Sequence, residues 1–373
     1  MNIRNLKFSN GFSLVELMVA VTIGLITMLV IVQVLQVSEY RRKTINAGAD
    51  STVNAALALY TIERDGKNAG FGLSTVKSSL GCQVRGKYGT TDVNFSLVPV
   101  TIVDGTAGAP DKIRFIASNK VGAALPTMIS SSFNKIDPYF GVESDLGVAV
   151  GDMLIVVPAT WTPTTNWCSL FQATPANAGE KNTVRMDTAA SNWNHVGSSV
   201  GNIFPAIGYD VGSYLLNVGT LTDRTYKISA SKSLVMDEYD ISTNIPNTTE
   251  LFPNIVQLQA VYGRDTTTPP DNIVDLWSAT APASAAEWQQ VRAIRVALVA
   301  RGDVQEVAVT LDGDVAASTC NSLTPHPAAV CWKPDPAGNG VKIDVSAGEP
   351  NWRNYRYRVM ETTIPVRNMI WGE

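Results

Sequence analysis

Histidine is almost missing from this chain: His195 and His326 are the two it has. An imidazole acid–base pair or a histidine-rich metal centre is hard to build from so few. Charged residues are also scarce, at 17% of the chain, and the formal net charge is -4. With no excess of Lys and Arg, the sequence argues against a broad electrostatic grip on nucleic acid. Cysteine is limited to Cys82, Cys168, Cys320 and Cys331, none of them in a C-x-x-C element, which speaks against structural zinc. Charge is absent altogether from Leu17 to Ser38. As a helix that run spans a hydrocarbon core of about 30 Å at about 1.5 Å per residue. Charged sequence follows it (Ser38-Glu39-Tyr40-Arg41-Arg42-Lys43) with no small-residue cleavage site of the secretory kind, so the apolar segment is expected to be retained.

What precedes the span is as informative. A short leader carrying Arg4 and Lys7 ends at Gly11 and runs into Phe12-Ser13-Leu14-Val15-Glu16-Leu17. The string GFSLVELMVAVTIGL resembles the processing site of type IV prepilins, where a dedicated peptidase cuts after the glycine and methylates the new terminal amine. The resemblance implies cleavage between Gly11 and Phe12, N-methylation of Phe12, and an assembly role for Glu16, fifth from the new terminus. A carboxylate at membrane depth is costly and needs a partner, which the terminal amine of an adjacent helix can supply. Its own helix offers no cation within reach, since Arg41 is about 37 Å along the axis. Loss of the leader takes the formal charge from -4 to -6.

The helix is expected to continue beyond the basic cluster. Ile45, Ala49, Val53, Ala56 or Leu57, and Tyr60 recur at spacings of three and four, an apolar stripe that would pack on a globular domain. Glu63-Arg64-Asp65-Gly66 is a plausible stop, giving a helix over 12–65 with 12–37 in the membrane. From 66 to 373 the pattern turns to strands and turn residues. Candidate strands are Phe95 to Val103, Lys112 to Ala117, Met153 to Val157, Ser169 to Ala173, Thr225 to Ala230, Ser233 to Tyr239, Ile255 to Tyr262, Val291 to Ala300, Val304 to Thr310 and Tyr355 to Thr363. Ile255 to Tyr262 reads as helix nearly as well. Pro175 to Ser213, rich in Asn, Gly and Ser, reads as long loops or an insertion.

All four cysteines lie beyond the span, and an even number in an exported domain reads as two disulfides. Three pairings are possible. Cys320 and Cys331 bracket a short proline-containing loop, which favours local closure and leaves Cys82 with Cys168. Zinc held by Cys320, His326 and Cys331 would lack a fourth nearby ligand. Arg41, Arg42 and Lys43 outnumber the leader's Arg4 and Lys7, so the positive-inside count opposes an exported domain. The cysteine usage and the leader's need to face a cytoplasmic peptidase outweigh it.

A second resemblance lies in the C-terminal third. NIVQLQAVYGRD, Val274-Asp275-Leu276-Trp277, VRAIRVALVARG and YRVMETTIPVRN look like ordered signatures of PilW-type minor pilins, and ERDGKNAGFG followed by Gly81-Cys82 is similar to that group as well. The absence of proline within the apolar helix, where Thr22-Ile23-Gly24 stands, departs from major pilins. The resemblance implies an α+β, type IV pilin-like fold: a long N-terminal helix, membrane-spanning in its first half, packed on a large antiparallel β-rich domain with long loops. It also implies a non-enzymatic minor pilin that needs no cofactor, is held in the bacterial inner membrane with its large domain periplasmic, and is then extracted into the pilus. Expected partners are other minor pilins, the major pilin, the prepilin peptidase, the inner-membrane assembly platform and a tip adhesin, with priming of assembly, twitching motility, adhesion or DNA uptake as outcomes. A type II secretion J-like pseudopilin and an adhesin or ligand-binding tip module with Pro175 to Ser213 as contact surface are the alternatives.

Other chemistry is poorly supported. Gly197-Ser198-Ser199-Val200-Gly201 fits G-x-S-x-G, but it sits in loop-like sequence where a nucleophile elbow needs a strand before the serine and a helix after it. Asp265, Asp271 and Asp275, or Asp312 and Asp314, lack the spacing and closing Glu of a calcium loop. The eight scattered tryptophans read as core and edge packing.

Overall fold

The computed structural model describes residues 13–370 apart from 74, 121–125, 163, 196–202, 241–243, 306–329, 336–340, 344 and 346–348. One helix, α1 (Leu14–Asn68), leads the chain. In order there follow β1 (Gln83–Tyr88), β2 (Thr91–Ser96), β3 (Val100–Val103), β4 (Lys112–Ala117), β5 (Thr127–Met128), β6 (Tyr139–Gly141), β7 (Met153–Val157), β8 (Cys168–Gln172), β9 (Thr183–Arg185), β10 (Tyr214–Gly219), β11 (Thr222–Ile228), β12 (Ser233–Asp240), β13 (Ile245–Pro253), β14 (Ile255–Arg264) and β15 (Leu276–Ser278). A short α2 (Ala285–Gln289), then β16 (Val291–Arg301), β17 (Val330–Trp332), β18 (Val341–Ile343), β19 (Tyr357–Pro365) and α3 (Arg367–Ile370) complete it.

The strands form three main sheets, ordered β2-β1-β8-β7-β10-β5, β13-β12-β11-β4-β3 and β15-β14-β16-β19. Pairing is antiparallel throughout these sheets except between β1 and β8. A long apolar helix on an antiparallel-rich β domain is the α+β, pilin-like fold that the sequence implied.

The second half of α1 packs where the five- and four-stranded sheets converge. Ala55, Ala58, Leu59 and Ile62 join Ile102, Ile113, Phe115 and Tyr226 from one sheet and Leu258, Tyr262, Ile294, Leu298 and Ile364 from the other. The four-stranded sheet is covered on its second face too, by Trp332, Ile343 and Val345 against Val256, Val261, Ala297 and Val299. Every residue of β14 from Ile255 to Gly263 is therefore buried. Double-sided burial removes the alternation that marks a strand, which is why this segment reads nearly as well as a helix in the sequence. The six-stranded sheet is likewise sandwiched, with Ile155, Leu170 and Leu216 in one cluster and Leu154, Phe171 and Leu215 against Phe133, Phe140 and Phe204 in another.

Four expectations change in detail. The helix runs to Asn68, three residues past Asp65. Phe95 to Val103 is two strands, because Pro99 has no N–H to offer a ladder and the chain there passes from β2 in one sheet to β3 in the next. Val304 follows the end of β16 and is not in a strand, and 306–310 lie outside the described residues. The largest change concerns the stripe on α1. The buried positions are Ala47, Ser51, Ala55, Ala58, Leu59, Ile62, Asp65 and Gly66, while Ile45, Val53, Leu57 and Tyr60 are 70%, 56%, 48% and 64% exposed. Small residues face the sheets because they let a helix axis approach closely. A carbon added at Gly66 would stand 2.9 Å from Ile364 Cγ2 and 3.3 Å from the Phe115 ring. The bulkier apolar stripe is left outside.

Candidate assembly surface

The N-terminal end of α1 opens on a capping box. Ser13 Oγ accepts from the Val15 N–H at 3.3 Å, and the Glu16 carboxylate accepts from the Ser13 N–H at 3.4 Å. Glu16 thus has a partner in its own chain, a backbone donor and not a cation. The two contacts satisfy N–H groups that a helix start leaves open. Gly11 and Phe12, the expected cleavage and methylation positions, lie outside the described residues.

From Leu14 through Lys43 every residue of α1 is exposed, and the helix is long and apolar enough to cross a membrane by length and composition. The exposed apolar surface continues past the basic cluster along Ile45, Val53, Leu57 and Tyr60, so one continuous rod presents apolar side chains over most of its length of about 80 Å. At 100° per residue these four lie within a third of the helix circumference, opposite the buried arc. The face carries large apolar side chains that the domain leaves uncovered.

What holds that face in place is an ion cluster at the far end of the helix. Asp65 is 8% exposed. Its carboxylate accepts from the Tyr226 hydroxyl at 2.6 Å and from Arg224 Nη1 at 3.1 and 3.2 Å, both residues on β11. Arg224 also pairs with Glu238 on β12 at 2.8 Å. Burial, then the Asp65 hydrogen bond and charge, push the Tyr226 hydroxyl far above the ordinary phenol range, so it stays a donor at any physiological pH. A further clamp comes from the C-terminal segment, where Asn368 Nδ2 donates to the Ala69 carbonyl at 2.9 Å. A groove of about 420 Å³ beside the cluster is lined by Asp65, Phe71, Phe115 and Arg224 among others. Asp65 lies in the ERDGKNAGFG stretch, where the sequence marks only a helix stop; its place on the same helical face as Ala58 and Ile62, seven and three residues on, is the signal available there.

Cys82 and Cys168 form a disulfide with Cα atoms 6.0 Å apart, adjacent to the parallel β1–β8 pairing. Cys320 lies outside the described residues, as does the side chain of Cys331, whose backbone is in β17. His326, Ser198, Asp312 and Asp314 also fall outside. His195 is half-buried, and its Nε2 lies 3.1 Å from the Asn192 carbonyl; burial pulls its pKa down. The aspartates after β14 staple their own loop. Asp265 accepts from the Thr267 and Asn272 N–H groups, Asp271 from Ile273, and Asp275 from the Thr266 N–H and the Thr267 hydroxyl. Among the described residues no His, Cys, Asp or Glu cluster fits a metal ion. The described tryptophans are buried or half-buried, as packing residues should be.

Comparison with known proteins adds two matches. Residues 6–32 match the prokaryotic N-terminal methylation motif. Residues 218–368 match the type IV pilus-assembly protein W family, a range that takes in β11 through β19 and so most of the five-stranded sheet and all of the four-stranded one. Most of the six-stranded sheet and the Glu63–Gly72 stretch lie between the two matched ranges. No curated protein and no solved structure matches the chain. With the methylation motif at its start and the pilus-assembly family over most of the two sheets that clasp its helix, the chain matches a PilW-type, prepilin-like minor pilin of the type IV pilus.

Proposed function

We propose that this minor pilin primes pilus assembly by presenting the exposed apolar face of α1 to the helices of other pilins. The carrying observation is the inversion of the helix: small residues and Asp65 hold the domain, while Ile45, Val53, Leu57 and Tyr60 stay outside. Apolar side chains in a row on a rigid helix are the natural contact for a second apolar helix, by ridge-into-groove packing. In the membrane, lipid covers the first half of the rod. After extraction into the pilus, neighbouring helices take its place. Processing between Gly11 and Phe12, methylation of Phe12 and pairing of Glu16 with a neighbour's terminal amine belong to the same proposal. Removal of the leader leaves Ser13 as the second residue, so Glu16 is then one helical turn from a free amine, its own or a neighbour's.

The periplasmic side of the inner membrane is the proposed site of the domain, with prepilin peptidase, the assembly platform, the major pilin and other minor pilins as partners. A non-enzymatic role agrees with the two matched families. A position in a tip complex, with twitching motility, adhesion or DNA uptake as the outcome, is the wider reading. The test is co-purification of other pilins with a Val53→Asp, Leu57→Asp double variant, which should be folded and processed yet fail to recruit them. Wild-type recruitment would move the contact elsewhere.

A further inference from the structure

The membrane-proximal rim of the domain combines position, charge and aromatic character. Ala47 is the first buried residue of α1. Its Cβ is 4.0 Å from where a side-chain carbon on Gly302 would stand, and the Gly302 N–H donates to the Arg356 carbonyl at 2.8 Å. The helix, the end of β16 and the start of β19 therefore meet at one level, about 6 Å beyond Lys43 and about 14 Å beyond Ser38 along the helix axis. A headgroup layer is roughly 5–8 Å deep, so this level lies within one arginine side chain and a Debye length of about 8 Å from it.

Among the described residues the exposed charges at that level are mostly of one sign. Arg41, Arg42, Lys43, Arg356 and Arg358 are exposed, against Glu39 and Asp303, with Asp50 one helical turn further out. Arg301 is neutralised by Glu349 at 2.6 Å and stacks over Tyr355 at 4.3 Å. Tyr40, 43% exposed, follows the uncharged run by two residues, the position at which a spanning helix would bring a tyrosine to the headgroups, where it is favoured. The chain as a whole is acidic, so this basic rim is a local feature.

We propose that this rim is a seat for anionic phospholipid headgroups of the leaflet from which α1 emerges, holding the domain against the membrane before extraction. The proposal rests on the reading of α1 as a span. The occupant follows from geometry: the surface that this level must face is the bilayer the helix has just left, and a cation there gains from an anionic leaflet. The same contact gives a use to Arg41, Arg42 and Lys43 on the exported side, where a positive-inside count disfavours them.

The test is hydrogen exchange of the full-length protein in nanodiscs of phosphatidylcholine alone and of phosphatidylcholine with phosphatidylglycerol at three to one. Exchange across residues 349–358 should be slower in the anionic discs at low salt, and the difference should vanish in Arg356→Gln, Arg358→Gln discs. Arg358, like each cation of the Arg41–Lys43 cluster, is expected to contribute roughly fivefold. Neutralising Arg41, Arg42 and Lys43 together, which leaves the domain untouched, should also reduce the protection, while Lys135→Gln, on a distant loop, should not. Equal exchange in the two lipids, or protection that survives both sets of substitutions, would overturn the proposal. Failure of the chain to enter discs of either composition would overturn the span itself.

Discussion

The carboxylate of Asp65, on the helix, accepts a 2.6 Å hydrogen bond from the hydroxyl of Tyr226, on β11. This contact, with Arg224 beside it, fixes how far along and at what rotation α1 lies on the domain, and so which face remains exposed. Tyr226→Phe keeps the ring and removes the donor, and should lower stability by about 1–2 kcal/mol. Asp65→Ala leaves Arg224 and the Tyr226 hydroxyl without their acceptor and should cost about 2–3 kcal/mol, the partial exposure of Arg224 keeping it below a fully buried pair. Thermal unfolding of the detergent-solubilised protein checks both. Equal stability of all three proteins would remove the cluster's structural role.

Close packing at Gly66 makes a second prediction. A carbon there meets Ile364 Cγ2, a branched side chain that cannot swing away, at 2.9 Å. Gly66→Val should therefore cost about 1–3 kcal/mol through overpacking, whereas Gly48→Ala, with open space around it, should raise helix stability slightly by about 0.5–1 kcal/mol. The opposite signs are the readout.

Asp111 supplies a pH dependence. It is buried between the loop after β3 and β14, and burial pushes its pKa up to about 6, against the pull of the Gly105 and Ala260 N–H groups and with help from Asp104. A carboxyl that binds its proton more tightly when folded contributes stability that is present below its ordinary value of 3.8 and is lost as pH rises through about 6. Asp152 and Asp237 act in the opposite direction, their pKa values held down against burial by hydrogen bonds from Lys120 and Lys227. Melting temperatures of wild type and Asp111→Ala between pH 4 and pH 7 isolate the group: the variant is less stable throughout, and the gap should narrow toward pH 7. A gap that widens with pH would reverse the assignment.

The disulfide between Cys82 and Cys168 closes a long loop, with a sequence separation of 86. Cys82→Ser with Cys168→Ser should lower stability by roughly 4.5 kcal/mol on the loop-entropy model. Non-reducing peptide mapping should recover this pair, and it tests the proposed Cys320–Cys331 pairing in the same experiment.

Sequence reading went furthest where one physical requirement dominates. The apolar run from Leu17 to Ser38 is legible because it holds no charge over a length that could cross a bilayer, and β4 and β7 are legible from their apolar runs between turn residues. β1 and β10, and the short β5, β6, β9, β15, β17 and β18, have no counterpart among the candidate strands. β13 has none either, since Ile245–Pro253 carries a proline near each end and is mostly exposed, leaving neither an apolar face nor an unbroken run in the sequence. The buried face of α1 is opposite to its stripe of large apolar residues. Periodicity finds large apolar residues, but Ala55, Ala58 and Gly66 pack because they are small, and Asp65 is buried because β11 brings Arg224 and Tyr226 to it. Neither fact is local to the helix.

The central claim is that the outer apolar face of α1 recruits other pilins. Site-specific photo-cross-linking in cells, with the reactive group placed at Leu57 and, as a reference, at the exposed Lys135 on the loop between β5 and β6, tests it most directly. Adducts with other pilins from Leu57 and none from Lys135 are the expected result. No pilin adduct from Leu57, in cells that process and fold the protein, would contradict it.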